Sequence, residues 1–133
     1  MKIVIIDGQG GKMGAALTKQ FMEHFPGHEI IAIGTNSMAT EAMLKSGARF
    51  AATGENPVIV CSRDADIIAG PIGIISANSL LGEITPAMAA AVTESQAKKI
   101  LIPVSKCSVI VAGVKDMPLG DYIKEAVQLV KNI

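Results

Sequence analysis

Apolar residues in this chain come in short β-branched runs that alternate with stretches of helical spacing nearly from end to end. That pattern predicts a parallel sheet covered by helices on both faces. The first run, Lys2 to Ile6, reads as a buried strand. Gly14, Leu17, Phe21 and Phe25 then recur at helical spacing over Gly11 to Phe25, until Pro26-Gly27 stops the pattern. A second strand is expected at Glu29 to Ile33, ending in Gly34-Thr35-Asn36-Ser37. A short helix follows from Met38 to Ser46, with Asn36 or Ser37 as its cap and Gly47 as its stop. Arg49 to Ala52 reads as a weak third strand.

Beyond it, Thr53-Gly54-Glu55-Asn56-Pro57 has the composition of a loop, with Asn56 capping and Pro57 opening a helix, while Val58-Ile59-Val60 is itself β-prone. Ile67 to Gly70 is a strong buried strand. After it come a loop from Pro71 to Glu83, a helix from Pro86 to about Ser95 capped by Thr85, and a strand from Lys99 to Ile102. Val109 to Ala112 reads as a further strand. Its connection, Pro103 to Ser108, is too short for a crossover helix, so the strand is antiparallel if it pairs with its predecessor. The last helix, about Leu119 to Lys131, turns Ile123, Val127 and Val130 inward. The expected fold class is α/β: a three-layer Rossmann-like sandwich, mostly parallel, with an antiparallel edge strand.

Length and composition narrow the picture. The 133 residues suit one domain and leave no room for a separate substrate domain, which argues against a two-domain dehydrogenase. Apolar residues make up 50% of the chain and aromatics 3%, so the core must be built from Ile, Val, Ala, Leu and Met. Such chains often hide apolar surface by self-association, and a homo-oligomer is expected. Twelve basic and 12 acidic side chains, with no Lys/Arg block, give neither a nucleic-acid footprint nor a basic membrane-binding face. The uncharged stretch Ile67 to Gly82 carries Gly70, Pro71, Gly73, Ser76, Asn78 and Ser79 and falls short of a membrane span. Asp7 and Lys12 interrupt the apolar start, which reads as the first strand and not as a leader, so a cytoplasmic location is expected. Cys61 and Cys107 have neither CxxC nor metal-ligand spacing. No metal site is expected, and no structural disulfide in a reducing compartment.

The candidate chemistry starts at Asp7-Gly8-Gln9-Gly10-Gly11-Lys12-Met13-Gly14, directly after the first strand. A chain that turns at once from strand to helix presents unpaired N–H groups and the positive end of the helix dipole to an anion, and glycines let a phosphate come close. In one register Gly8 and Gly10 are the first two glycines of a dinucleotide fingerprint, with Met13 in third place. In the other, favoured by the Gly-x-Met-Gly tail shared with some nicotinamide dehydrogenases, Gly11 and Gly14 are the last two and Gln9 stands first. An NAD(P)-type cofactor, another anion, or a tight turn without a ligand are the readings this allows. Polar or glycine-rich turns also end the later strands, at Gly34 to Ser37, Thr53 to Asn56 and Gly70-Pro71-Ile72-Gly73, where ligands sit in open α/β sheets.

The acidic residue that usually meets a ribose at the end of the second strand is replaced by Thr35-Asn36. Thr35, Asn36 and Ser37 are therefore candidate donors to a 2′-phosphate, which favours NADP over NAD. Asp7 reads as a turn cap or, alternatively, as a metal or acid/base group. Lys12 is either a phosphate contact or an ordinary exposed lysine. Glu55, Asn78 and Glu83, on loops bordering the same cleft, are candidates for substrate binding or acid/base work, against capping or solvated roles. Lys106 beside Cys107 suggests a nucleophile only weakly, with no histidine nearby. His24 and His28 flank Pro26-Gly27 at the far end of the first helix.

The opening Val4-Ile5-Ile6-Asp7-Gly8-Gln9-Gly10-Gly11, together with Ile33-Gly34-Thr35-Asn36, Thr53-Gly54-Glu55-Asn56, Gly70-Pro71-Ile72-Gly73 and Ile100-Leu101-Ile102-Pro103, resembles a small family of uncharacterised bacterial proteins of unknown function over almost the whole chain. Members often carry Gly-Gly-Ile-Gly where this chain has Gly11-Lys12-Met13-Gly14, so Lys12 is not indispensable. The resemblance implies no activity. Two functional readings follow. The first is a nucleotide-binding protein gripping a dinucleotide phosphate with Gly8 to Gly14; a hydride-transfer enzyme of this size would complete its pocket from a partner subunit through the apolar loop Pro71 to Leu81. The second is a non-catalytic ligand-sensing or assembly module that binds an anion or no nucleotide. A weaker third, Mg²⁺ on Asp7, lacks the further carboxylates such a site needs.

Overall fold

Five apolar runs pair into one sheet in the computed structural model, which describes residues 1–104 and 108–133. The strands are β1 (Lys2–Asp7), β2 (Glu29–Gly34), β3 (Phe50–Thr53), β4 (Ile67–Pro71) and β5 (Lys98–Ile102). Their order is β3-β2-β1-β4-β5 and every pair is parallel. The chain moves outward from β1 to β3, then returns to β4 on the other side of β1. That reversal opens a crevice beyond the carboxyl ends of β1 and β4.

Alternation along β1 assigns the two faces. Ile3 and Ile5 join a core with Leu17 and Phe21 of α1 (Lys12–His24), Met43 of α2 (Ser37–Lys45) and Ile123, Val127 and Val130 of α5 (Leu119–Lys131). Val4 and Ile6 face the second core, with Val58 of α3 (Glu55–Ser62) and Met88 and Val92 of α4 (Pro86–Glu94). The result is three layers with both faces of the sheet buried, which is why its central strands are apolar throughout instead of alternating with polar residues. No helix among the described residues is long and apolar enough to cross a membrane.

Helix starts follow capping chemistry. The Asn36 side chain accepts from the Ala39 N–H at 2.9 Å, and Thr85 accepts from Met88 at 3.1 Å. α3 begins earlier than expected, at Glu55, with Gly54 at its cap (φ 104). Asn56 is therefore not the cap, and Pro57 sits inside the first turn, where its missing N–H leaves no bond unmade. Val58 is buried against the sheet, so packing overrides the β-prone character of Val58-Ile59-Val60.

The antiparallel edge strand expected at Val109 to Ala112 is not formed. These residues are exposed, no described strand runs beside β5 on that side, and β5 remains the sheet edge. A β-branched run becomes a strand only where a neighbouring backbone completes its ladder. The segment is instead tied down further on, where the Tyr122 hydroxyl donates to the Lys115 carbonyl at 2.6 Å.

Gly70 marks the tightest approach in the sheet, since a Cβ built on it would lie 2.2 Å from the Ile6 carbonyl oxygen. Strand backbone cannot move aside as a flexible side chain can. Gly70→Ala is expected to cost about 1–3 kcal/mol, seen as a lowered urea midpoint. Gly27→Ala, where nothing lies within 4 Å, serves as the control. An unchanged midpoint in Gly70→Ala would contradict the close packing of β4 on β1.

Candidate functional site

The tip of β1 is shaped by two carboxylates. Asp7 is 5% exposed, and its oxygens accept from the N–H of Gly8 at 2.8 Å and of Gly14 at 2.6 Å, clipping together the two ends of the glycine loop. Burial pushes the Asp7 carboxyl above its usual range; the Gly14 and Gly8 bonds oppose that, and the nearby charge of Glu83 adds to it. Asp7 is thus the cap of the turn. Its carboxylate faces backbone N–H groups inside the loop, which leaves it poorly placed as a metal ligand or a substrate contact.

Glu83 reaches the same loop from the β4–α4 connection. One of its oxygens, Oε1, accepts from the Gln9 N–H at 2.9 Å, the Thr35 hydroxyl at 2.6 Å and the Asn36 side-chain amide at 2.7 Å. Burial raises its carboxyl, but the bonds from Thr35, Gln9 and Asn36 together outweigh that and hold it below the ordinary glutamate range. The Asn36 amide also donates to the Gln9 carbonyl at 3.0 Å. The donor groups of Thr35 and Asn36 are therefore engaged within the protein, and a carboxylate does stand at the end of β2, supplied from another loop. The premise behind the NADP preference, an uncharged strand end, does not hold in the folded chain.

Within the loop the glycines differ. A Cβ on Gly8 would lie 2.5 Å from the Thr35 hydroxyl oxygen, one on Gly11 would lie 2.7 Å from Ala39 Cα, and one on Gly14 would lie 2.6 Å from Asp7 Cβ. Gly10 has nothing within 4 Å. The turn is closed by the Gly11 N–H on the Gly8 carbonyl at 2.9 Å, with Gln9 (φ 49) and Gly11 (φ 73) left-handed. Among the described residues no acceptor meets the N–H of Gly10, Lys12 or Met13. These donors border a cleft of about 400 Å³ whose apolar wall is Pro71, Leu80, Val104 and Leu119.

The other sequence candidates are dispersed. Gly70 and Gly73 are packing positions, Gly70 against Ile6 and Gly73 against Ser79. Ile72 lines a separate cavity of about 250 Å³ beside Tyr122. Ser37 is exposed at the start of α2. Glu55 accepts from the Thr85 hydroxyl at 2.6 Å, joining the starts of α3 and α4 away from the cleft. Asn78 (φ 66) bends the β4–α4 loop, its N–H on the Ile84 carbonyl at 2.7 Å. His28 meets the terminal amine of Met1 at 2.9 Å, far from the glycine loop in the fold. The Cys107 nucleophile reading, with Lys106, lies outside the described residues. Leu80, Val104 and Leu119 were missed as cleft residues. The apolar character of the loop Pro71 to Leu81, read from the sequence only as an interface, was the available signal for the first; the other two had none.

The family model described as "Domain of unknown function (DUF3842)" matches residues 2–133. No curated protein matches the chain. Among solved structures, the crystal structure of a dodecameric FMN-dependent Ubix-like decarboxylase from Escherichia coli O157:H7 is similar, with a TM-score of 0.50 and 19% identity over 99% of this chain and 76% of that one. At that identity the likeness concerns the fold.

The Glu83 bonds carry a pH signature. Because its folded pKa lies below its unfolded value, about 4.3, the contribution of the ionised group is complete above that value and is lost as pH falls through the folded pKa. Glu83→Gln is expected to lower stability near neutral pH by about 1–2 kcal/mol, less than three isolated charged bonds because the group is partly solvated. The gap from wild type should narrow as the pH of urea titrations falls from about 7 to below the unfolded glutamate value of about 4.3 and on through the folded pKa. A gap that stays constant over that range would contradict an ionised Glu83 in this role.

Proposed function

This chain belongs to the family described as Domain of unknown function (DUF3842), and we propose that it binds the phosphate of a nucleotide cofactor at the Gly8–Gly14 loop. The observation that carries the reading is the set of N–H groups of Gly10, Lys12 and Met13, which have no acceptor among the described residues and open on an apolar-walled cleft. A phosphate satisfies those donors and gains from the dipole of α1. Pro71, Leu80, Val104 and Leu119 suit a flat ring system, as small-molecule pockets commonly pair apolar walls with a few fixed polar groups. Gly10, with open space around it, is where a ligand comes nearest the backbone. Lys12, exposed in the first turn of α1, adds positive charge at the rim.

Within this class a flavin nucleotide has the support of the similar structure, an FMN-dependent protein. For an NAD-type dinucleotide there is the glycine spacing alone, and Gly8, Gly11 and Gly14 are each accounted for by packing. For NADP, the Glu83 charge at the end of β2 works against a 2′-phosphate. We read the chain as one domain, and as a homo-oligomer: Leu81, on the loop that walls the cleft, is 97% exposed, and the similar structure is described as dodecameric. The second reading, a ligand-sensing module without turnover, is favoured by one feature. Of the titratable side chains among the described residues that border the cleft, Asp7 is held by loop N–H groups, leaving only Lys12 to move freely.

Gly10→Phe separates ligand binding from folding, since its φ lies outside the left-handed region and no neighbour would be struck. Gly11 is unsuitable, having φ 73 and the Ala39 backbone beside it. At ligand near 100 times Kd, a phosphate-bearing nucleotide should stabilise the wild type by about 2.7 kcal/mol in a thermal-shift assay. Gly10→Phe should fold normally and lose the shift. Equal shifts in both proteins, or none in the wild type with NAD(H), NADP(H), FMN, FAD, ATP or GTP at millimolar concentration, would overturn the proposal.

A further inference from the structure

We infer that this site takes a nucleotide ending in a single phosphate monoester and excludes dinucleotides, because the groove between the glycine loop and the end of β2 is closed by the protein itself. The inference rests on the phosphate-binding reading above and specifies its ligand. In an open parallel sheet, a dinucleotide places its pyrophosphate at the start of the first helix and sends one nucleoside past the tip of the second strand, where the ribose meets the residue ending that strand. Here that exit is filled. A Cβ on Gly8 would already lie 2.5 Å from the Thr35 hydroxyl oxygen, so no layer of ligand atoms fits between the two turns.

The closure is held by bonds that converge from three loops. The Thr35 N–H donates to the Asp7 carbonyl at 2.9 Å, the Asn36 amide donates to the Gln9 carbonyl at 3.0 Å, and Glu83 Oε1 gathers Gln9, Thr35 and Asn36. To admit a ribose there, the Glu83 carboxylate would have to leave these donors and take up a second phosphate's charge as a neighbour. Among the described residues the opposite exit is open: the cleft of about 400 Å³ runs from the unpaired N–H groups toward Pro71, Leu80, Val104 and Leu119. One direction is available to the organic part of the ligand, and the phosphate therefore forms its end. The three donors suit the three terminal oxygens of a phosphate monoester better than the two free oxygens on each phosphorus of a pyrophosphate.

The β4–α4 loop that brings Glu83 into place is strained, with Asn78 (φ 66), Leu80 (φ 55) and Leu81 (φ 57) all left-handed. Such conformations persist where surrounding contacts over-determine them. Here the same loop delivers Glu83 to the closed side and Leu80 to the open one, so its shape sets both limits of the ligand.

The test measures binding of FMN, riboflavin, FAD and NAD to the purified full chain, by flavin fluorescence and, for NAD, calorimetry. The expected result is FMN binding with riboflavin, FAD and NAD each at least about tenfold weaker, tenfold being about 1.4 kcal/mol. FAD or NAD less than tenfold weaker than FMN overturns the exclusion and leaves the phosphate-binding reading standing. Riboflavin as tight as FMN overturns that reading and this inference with it; no binding by any of the four overturns this inference, and the wider nucleotide screen above then decides the phosphate-binding reading. Thr35→Ala, which removes the hydroxyl facing Gly8 and one of the Glu83 bonds, should raise FAD affinity relative to FMN. A ratio unchanged from wild type in a folded Thr35→Ala protein counts against the closed groove as its cause.

Discussion

A single carboxylate oxygen of Glu83 gives the glycine loop its place. It accepts from Gln9 on the β1–α1 turn and from Thr35 and Asn36 at the end of β2, so three chain segments far apart in sequence meet on one acceptor. A strand-to-helix turn rich in glycine has many conformations open to it, and the entropy lost on fixing it must be offset by bonds that no other conformation makes. Glu83 supplies those bonds from outside the turn and Asp7 supplies them from within, through Gly8 and Gly14. With both in place, the N–H groups left over are those at the outer rim.

The two carboxylates respond to the same neighbourhood in opposite ways. Asp7 lies deep enough for desolvation to outweigh its two backbone bonds, so ionising it lowers stability as pH rises through the window just above the ordinary aspartate value. Glu83, partly solvated and better supplied with donors, contributes most when ionised. Their mutual repulsion appears in the raised Asp7 carboxyl. A cationic rim contact or a bound anion thus acts on a turn whose electrostatics are already opposed, and any phosphate arriving at Gly10 meets the charge of Glu83 on one side only. That asymmetry is the electrostatic counterpart of the closed and open exits.

Much of the architecture was legible because burial periodicity is local. The β1 run, the α1 stripe of Leu17 and Phe21, the Thr85 cap and the α5 face of Ile123, Val127 and Val130 all follow from residues within a few positions of one another. Composition misled or stayed ambiguous where a distant partner decides. Val109 to Ala112 has strand composition and no described strand beside it; Val58 to Val60 has strand composition within the helix expected after Pro57, and a sheet to pack against settles it as a helix. The site followed the same rule. Asp7 to Gly14 was visible as one segment, but the acidic group at the end of β2 was not, because Glu83 lies 48 residues from Thr35 and only the fold unites them. Thr35 and Asn36 looked like free donors for the same reason.

The glycines show why a motif cannot be read by counting. Gly8, Gly11 and Gly14 each stand against another part of the protein: the Thr35 hydroxyl, the backbone of α2, and the carboxylate arm of Asp7. Their lack of a side chain lets the turn pack, and in that respect they are structural whether or not a ligand ever binds. Gly10 alone among the four meets nothing within 4 Å among the described residues, which it shares with surface glycines such as Gly27. What sets Gly10 apart is where its open side lies, at the mouth of the cleft beside the unpaired N–H groups. The case for a ligand therefore rests on one glycine and three donors more than on the glycine-rich sequence as a whole.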